Sequence, residues 1–245
     1  MPDQVVILAG GLGTRMLPRT ERIPKLLLPV AGRPFAEHLL ARLAACGLGD
    51  VVLCIGHLGA AVRAALGDGR ALGVRLAYVE DGDRLLGTAG ALRRALPLLD
   101  ETFLVTYGDS YLPFDYRAPL LDLRAHAGHD GALGTMAVFR NDDTLDRSNT
   151  EVRGDIVIRY EKRPRDAARD PSLDHIDYGA TALRREVIAA LPADEPHDLS
   201  AVQRALAAAG RLRAYAAAER FYEIGSPEGL ADLENRLTQA PEEHR

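Results

Sequence analysis

Short apolar runs alternate with helical patterns through the first half of this 245-residue chain, and this alternation most constrains its fold. The apolar runs are rich in Val, Ile and Leu, which is typical of strands that are buried on both faces. Because the segments between them have helical spacing and end at Gly or Pro, the pattern predicts a parallel sheet with crossover helices. The predicted strands of this half are Val5–Leu8, Val51–Ile55, Val74–Val79 and Phe103–Tyr107, and the predicted helices are Phe35–Cys46, Ala60–Leu66, Thr88–Leu96 and Leu120–His126.

The second half continues both patterns and adds a hairpin. Two strand-like runs, 150–152 and 156–160, flank a turn at Gly154. Ser226 followed by Pro227 is a typical helix start. Further strands are predicted at 133–139, 176–183 and 212–216, and further helices at 186–191, 199–209 and 228–237. The sequence therefore predicts one α/β domain over residues 1–240 with a mixed, mostly parallel sheet, followed by a frayed tail at 241–245.

Charge and apolar content argue against several classes of function. The net charge is −5 and the pI is about 5.8, which is not typical of a nucleic-acid-binding protein. No stretch approaches the roughly 20 apolar residues that span a bilayer, and the N-terminus lacks the basic segment of a signal peptide. The only two cysteines, Cys46 and Cys54, are too few for a disulfide framework. We therefore expect a cytoplasmic protein with neither nucleic acid nor membrane as a partner.

Three glycines follow the first predicted strand. Gly10, Gly11 and Gly13 let backbone N–H groups approach an anion closely. Arg15 adds a planar donor for phosphate oxygens, and Lys25 follows about ten residues later. The spacing of a Walker A loop is absent, and the dinucleotide fingerprint lacks both its third glycine and the acid after the second strand. A merely flexible loop is the remaining alternative, and the placement of Arg15 and Lys25 favours a loop that binds a triphosphate.

Lysine is scarce in this chain. Of the 30 basic residues, 28 are Arg and two are Lys. Lysine is a compact, movable charge and arginine is a planar fork, so the two are not interchangeable in a tight site. Chance survival of two surface lysines is the alternative. Because Lys25 lies in a Pro-bounded segment and Lys162 in Tyr160–Pro164, a functional role is favoured.

Two segments connect the chain to a known family. Residues 10–20 read Gly-Gly-Leu-Gly-Thr-Arg-Met-Leu-Pro-Arg-Thr, and residues 24–30 read Pro-Lys-Leu-Leu-Leu-Pro-Val. In these segments the chain resembles the sugar-1-phosphate nucleotidyltransferases, and further matches extend to Gly225. The resemblance implies a three-layer α/β/α, Rossmann-like domain with an NTP-binding half (1–110) and a sugar-phosphate-binding half (111–240). It also implies a Mg²⁺-dependent enzyme that joins an NTP to a sugar 1-phosphate and releases pyrophosphate, with a homodimer as one assembly.

The same resemblance implies roles for individual residues. The implied catalytic residues are Arg15, Lys25 and Asp109, and the implied Mg²⁺ ligands are Asp109 and Glu223. The implied nucleotide-binding residues are Leu8, Ala9, Gly10, Gly11, Gly13, Thr14, Arg15, Glu80, Gly87 and Thr88. The implied sugar-phosphate-binding residues are Asn149, Glu161, Lys162, Asp177 and Gly179. On the residues alone, Asp109 is equally typical of a turn and Glu80 of a solvated loop.

Three residues depart from the family pattern, and two of them concern the sugar. Glu223 stands where relatives have Asp, and its extra methylene leaves direct or water-mediated metal contact open. Asp177 stands where many relatives have Asn, and Asn149 where many have Gly. The segments 106–110, 176–179 and 221–227 look most like those of D-glycero-D-manno-heptose-1-phosphate guanylyltransferases. Mannose-1-phosphate guanylyltransferases and N-acetylmuramate- or hexose-1-phosphate uridylyltransferases are the alternatives, and a non-catalytic nucleotide-sensing domain is an alternative of another class.

Overall fold

The computed structural model of the protein describes residues 3–82, 85–126, 131–164, 166–193 and 195–239. Its strands are β1 (Gln4–Ala9), β2 (Pro29–Val30), β3 (Arg33–Pro34), β4 (Asp50–Ile55), β5 (Arg75–Glu80), β6 (Thr102–Tyr107), β7 (Ser110–Tyr111), β8 (Gly134–Arg140), β9 (Thr150–Arg153), β10 (Ile156–Tyr160), β11 (His175–Arg184), β12 (Leu212–Ala216) and β13 (Tyr222–Glu223). Its α-helices are α1 (Phe35–Ala45), α2 (Gly59–Leu66), α3 (Gly87–Ala95), α4 (Ala118–Ala125), α5 (Arg185–Ala189), α6 (Leu199–Ala208) and α7 (Pro227–Gln239). Of the helices in these ranges, none combines the length and apolar character needed to cross a membrane. The predicted tail at 241–245 lies outside the described residues.

Nine of the strands form one sheet, in the order β5-β4-β1-β6-β11-β8-β12-β10-β9. The first four are parallel neighbours, and β8 is parallel to β12. By contrast, β11 and β10 run antiparallel to the strands beside them. Seven of the nine strands therefore point the same way, which confirms the predicted mixed, mostly parallel sheet. The predicted hairpin is also present, as β9 and β10.

Helices cover both faces of the sheet. Because side chains alternate along a strand, β1 sends Val5 and Ile7 into one apolar cluster and Val6 and Leu8 into the other. The first cluster contains side chains of α1, α2, α4 and α7, and the second contains side chains of α3, α5 and α6. The predicted three-layer α/β/α architecture is therefore confirmed, with a core on each side of the sheet.

Several very short elements shape the loops at one edge of the sheet. Single 3₁₀ turns lie at Thr14–Met16, Arg19–Glu21 and Lys25–Leu27. β7 pairs antiparallel with β13, which lies far away in the sequence. Elements of two or three residues carry no hydrophobic period, so the sequence pattern predicts none of them. The last helix does begin as predicted: the backbone N–H of Gly229 donates to Ser226 Oγ at 3.1 Å.

Candidate active site

The carboxyl ends of β1 and β6 lie side by side at this edge. The backbone N–H of Gly108, just after β6, donates to the carbonyl oxygen of Leu8 in β1 at 2.9 Å. The glycine-rich loop leaves from the end of β1, and Asp109 follows the end of β6. In open α/β sheets, ligands bind outside the carboxyl ends of the strands. The loops predicted to bind phosphate and metal are thus brought to the expected edge.

Two cavities open here and meet at Asp109. The larger cavity has a volume of about 450 Å³ and is lined by Arg15, Tyr107, Asp109, Ser110, Leu145, Asp146, Arg147, Asn149, Tyr160, Lys162, Arg163, Ile176, Asp177, Tyr178, Gly179, Phe221 and Glu223. The smaller cavity has a volume of about 180 Å³ and is lined by Leu8, Ala9, Gly11, Lys25, Leu26, Thr88, Tyr107, Gly108 and Asp109. Tyr107 and Asp109 line both. The two scarce lysines are divided between them, Lys25 in the smaller cavity and Lys162 in the larger.

The glycine-rich loop is fixed by a turn at Gly13. This residue has φ +64°, a left-handed conformation that favours glycine. Its carbonyl oxygen accepts a hydrogen bond from the hydroxyl of Thr20, a buried residue, at 2.8 Å. The turn carries Arg15 toward the larger cavity, beside Gly225. Arg15 therefore lines the larger cavity, whereas Lys25 lines the smaller one.

Lys25 forms an ion pair with Asp109. Its Nζ lies 2.9 Å from Asp109 Oδ2, and the two side chains are 17% and 27% exposed. The pair is short and mostly shielded from water, so it is stronger than an ordinary surface pair. The lysine ammonium and the Asp109 carboxylate are therefore in contact where the two cavities meet.

The short sheet of β7 and β13 brings Glu223 to the same spot. Glu223 pairs with Ser110, next to Asp109, and the N–H of Ile224 donates to the carbonyl oxygen of Asp109 at 2.9 Å. Glu223 keeps an exposed surface, but desolvation where it lines the cavity raises the pKa of its carboxyl, and the neighbouring charge of Asp109 raises it further. A cation bound beside both carboxylates would reduce the repulsion between their charges.

The donor set suits Mg²⁺. This ion prefers oxygen ligands and is commonly bound by one or two carboxylates together with waters and substrate phosphates. Within the described ranges, no group of three or more His, Cys, Asp or Glu side chains is arranged to hold a metal. Asp109 and Glu223 therefore fit a metal that is completed by substrate, and they do not form an all-protein cage.

A buried carboxylate lies in the wall of the larger cavity. Asp177 Oδ1 accepts the N–H of Gly179 at 3.0 Å, and Oδ2 accepts Gln203 Nε2 at 3.3 Å and the Tyr160 hydroxyl at 3.4 Å. Its backbone N–H donates to Asn149 Oδ1 at 2.8 Å. Burial raises the pKa of the Asp177 carboxyl, and these hydrogen bonds offset part of that effect. Among the residues that the structure describes, the hydrogen-bond partners of this acceptor are all neutral, so it is suited to hydroxyl or amine donors.

Some of the predicted site residues do not line either of the two cavities. Glu80 pairs with Arg63 at 3.0 Å on the surface, and Glu161 pairs with Arg159 at 2.9 Å. Gly10, Gly13 and Thr14 shape the loop but do not line either cavity, and Gly87 packs on the carbonyl of His197. The remaining predicted residues are brought together at the two cavities.

The structure also adds residues that were not predicted from the sequence. Asp146 and Arg147 reach the larger cavity from a loop that Asn141 and Ser148 hold together. Asn141 Nδ2 donates to the carbonyl of Asp146 at 2.7 Å and to Ser148 Oγ at 3.0 Å. The density of Asn, Asp, Thr and Ser over 141–149 is a signal for such a loop. Asp198 is a further addition, described below.

The fold and the site together define a class of protein: an α/β domain in which a glycine-rich loop and two carboxylates lie beside a polar cavity and a smaller, mostly apolar one. The family model for nucleotidyl transferases matches residues 4–147, more than half of the chain. The chain therefore belongs to the nucleotidyl transferase family.

Individual relatives agree with this assignment. The chain is 34% identical over 244 residues to the mannose-1-phosphate guanylyltransferase of Mycobacterium tuberculosis, covering 96% of this chain and 66% of that protein. It is 43% identical over 116 residues to the N-acetylmuramate alpha-1-phosphate uridylyltransferase of Neisseria meningitidis, covering 47% of this chain and 50% of that protein. The matches thus span between half and two thirds of the length of these curated relatives.

A solved structure shares the fold. HddC from Yersinia pseudotuberculosis superposes with a TM-score of 0.78 at 22% identity, covering 97% of this chain and 100% of that one. A second structure of HddC contains GMP-PN and superposes with a TM-score of 0.77 at 23% identity, with the same coverage. At these identities the likeness establishes the fold and not the substrate.

Proposed function

We propose that the protein joins an NTP and a sugar 1-phosphate to give a nucleotide sugar and pyrophosphate. The observation that carries the proposal is the junction of the two cavities at Asp109, with Lys25 on one side and Lys162 on the other. All the residues of the smaller cavity precede residue 110, and most of those of the larger cavity follow it. This supports an NTP-binding half (1–110) and a sugar-phosphate-binding half (111–240).

The reaction is a phosphoryl substitution between two anions. A phosphate oxygen of the sugar 1-phosphate forms a bond to the α-phosphorus of the NTP, and the bond from the α-phosphorus to the oxygen bridging to the β-phosphate breaks. The electron pair of that bond leaves with pyrophosphate. The attacking oxygen is already ionised at neutral pH, so no general base is needed. The barrier is dominated by repulsion and by charge on the phosphoryl oxygens, which fixed cations reduce.

The chain supplies those cations from three directions. In the proposal, Lys25 contacts the reacting phosphates from the smaller cavity, and Lys162 holds the attacking phosphate in the larger one. Arg15 holds the departing phosphates at the junction. Asp109 and Glu223 would hold Mg²⁺, which supplies charge neutralisation at the α-phosphoryl oxygens when bound. Lys25 is paired with Asp109 in this structure, so nucleotide binding would exchange that ion pair for contacts between Lys25 and phosphate.

For the substrates, we propose GTP and D-glycero-D-manno-heptose 1-phosphate. Guanine is supported by the mannose-1-phosphate guanylyltransferase relative. The heptose rests on the resemblance of segments 106–110, 176–179 and 221–227. Mannose 1-phosphate with GTP and an N-acetylmuramate or hexose 1-phosphate with UTP are the alternatives, and the uridylyltransferase relative favours UTP. We also propose that the protein acts in the cytoplasm, and a homodimer stays a prediction.

An array of substrates tests the proposal. The full chain is incubated with Mg²⁺ and each combination of GTP, UTP, CTP, ATP or dTTP with heptose, mannose, glucose or N-acetylmuramate 1-phosphate. Product is identified by the mass of the nucleotide sugar, and pyrophosphate is measured in parallel. The proposal expects one pair to dominate, with equal amounts of the two products. Nucleotide binding without pyrophosphate from any pair would instead establish a nucleotide-sensing domain.

A further inference from the structure

A short segment before α6 packs on the loop that begins α3. The N–H of His197 donates to the carbonyl of Leu86 at 2.9 Å, and the carbonyl of His197 accepts from Ala89 at 2.9 Å and Gly90 at 3.2 Å. Gly87 has φ +71°, and a Cβ there would lie 2.6 Å from the His197 carbonyl oxygen. The fit leaves no room for a side chain at position 87, so the two segments are packed directly against each other.

Asp198, in that segment, links the two cavities. The Thr88 hydroxyl donates to Asp198 Oδ1 at 2.8 Å, and Lys162 Nζ donates to Oδ2 at 3.2 Å. Thr88 lines the smaller cavity and Lys162 lines the larger. Partial burial alone would raise the pKa of the Asp198 carboxyl, but the hydrogen bonds from Thr88 and Lys162, the charge of Lys162 and a hydrogen bond with Ser200 together lower it. The carboxylate is therefore charged at neutral pH.

Helix capping does not account for this carboxylate. Asp198 precedes the first residue of α6, where an Asp side chain usually accepts from the first backbone N–H groups. Here its side chain makes no such bond. The N–H of Leu199 donates instead to Thr88 Oγ1 at 2.7 Å. Because the Thr88 oxygen accepts that bond, the single proton of its hydroxyl is directed to Asp198.

We propose that Asp198 is a positioning residue that couples the two substrate sites, because its carboxylate fixes the position of Lys162 relative to Thr88. This inference rests on the proposed function. The Lys162 side chain is 70% exposed. Without Asp198, a bound phosphate would have to fix this mobile side chain by itself, and the lost rotamer entropy of Lys162 would weaken binding. An ammonium has three N–H donors, so Lys162 keeps its bond to Asp198 while it presents others to phosphate. A nucleotide that orders Thr88 thereby prepares Lys162 for the sugar phosphate.

Calorimetry on the full chain tests the coupling. The titrant is the sugar 1-phosphate that gives product in the array, with and without the matching NTP as its non-reacting α,β-methylene analogue. In the wild type the analogue is expected to raise sugar-phosphate affinity by about fivefold or more. In Asp198→Asn this ratio is expected to fall to near one and the KM for sugar phosphate to rise about tenfold, because the charge facing Lys162 is lost. Nucleotide affinity alone should stay within about twofold, because the amide oxygen still accepts from Thr88.

Two further variants separate positioning from folding. Asp198→Ala removes the acceptor for Thr88 as well, so it should lose both the ratio and part of the nucleotide affinity. Glu195→Gln changes an exposed carboxylate on the same segment and should leave every parameter unchanged. An unchanged ratio in Asp198→Asn would overturn the inference alone, whether or not the thermal midpoint falls. Absence of product from the wild type would overturn the proposed function and the inference with it.

Discussion

Replacing Lys25 with Met removes one charge and keeps most of the side-chain volume. The Nζ of Lys25 lies 2.9 Å from Asp109, and both side chains are less than one third exposed. A hydrogen bond between charged groups contributes about 1.5–3 kcal/mol when shielded, and partial exposure reduces this to about 1–2 kcal/mol. The substitution also leaves Asp109 beside Glu223 without its cation. We therefore expect the free energy of unfolding to fall by about 2 kcal/mol at neutral pH.

A double-mutant cycle isolates the pair. Urea unfolding is measured for Lys25→Met, Asp109→Asn and the double variant, without metal. We expect a coupling energy of about 1–2 kcal/mol, since the second substitution costs less once the first has been made. The exposed pair of Arg33 and Glu37, with side chains 53% and 31% exposed, is the matched control. The same cycle there should give less than about 0.5 kcal/mol. Additive effects at Lys25 and Asp109 would refute the pair as a stabilising contact.

The same variant tests catalysis separately. Loss of one preorganised charge at a transition state lowers turnover by about 10²–10³-fold. Pyrophosphate release by Lys25→Met should fall by this factor at saturating substrates, and Asp109→Ala should fall similarly. Arg33→Met should keep the wild-type rate. A near-wild-type rate in Lys25→Met, with the stability loss present, would show that the lysine is structural only.

Three other predictions follow from single features of the structure. Desolvation and the charge of Asp109 raise the pKa of Glu223, so ionising this carboxyl costs stability as pH rises through the raised pKa. In thermal unfolding without metal, Glu223→Gln should therefore be more stable than wild type at pH 7.5 and equal to it below about pH 4. The Mg²⁺ affinity of this variant should fall by about tenfold. Gly87→Ala forces a side chain into a left-handed position against a backbone carbonyl, so urea unfolding should show a loss of about 2 kcal/mol or more, and wild-type stability would contradict this packing. Cys54 is buried, which raises its pKa to about 12, whereas Cys46 is half-buried. Ellman's reagent should therefore label Cys46 alone in the native protein and both thiols in guanidinium. Reaction of both thiols in the native protein would contradict the burial of the strand that carries Cys54.

Periodicity and turn chemistry were enough to predict most of the fold. The buried run Val5–Leu8 and its three parallel neighbours were readable because strands covered on both faces are apolar throughout. The start of the last helix was readable because Ser226 and Pro227 each have a positional preference. These signals depend only on neighbouring residues in the sequence, so they predict the element without knowledge of its tertiary contacts.

The carboxylate pair was implied only by the family resemblance, and the link between the cavities through Asp198 was not predicted. The sequence indicated that Asp109 follows a strand, but the pairing that places Glu223 beside it involves two residues on each side. The bridge through Asp198 joins three distant segments, and nothing near position 198 distinguishes it from an ordinary helix cap. Glu80 shows the converse: it lies at the end of a strand as expected, yet its carboxylate pairs with Arg63.

The pairing of β7 with β13 has a consequence for biosynthesis. Asp109 lies near the middle of the 245-residue chain and Glu223 more than 100 residues later, so a growing chain contains the first acid long before the second. A ribosome-bound chain that has exposed only its first half already contains the glycine-rich loop and Lys25, but it lacks the second acid. If Asp109 and Glu223 hold Mg²⁺ as proposed, metal binding in the presence of nucleotide during translation would report that the C-terminal segment has emerged and docked.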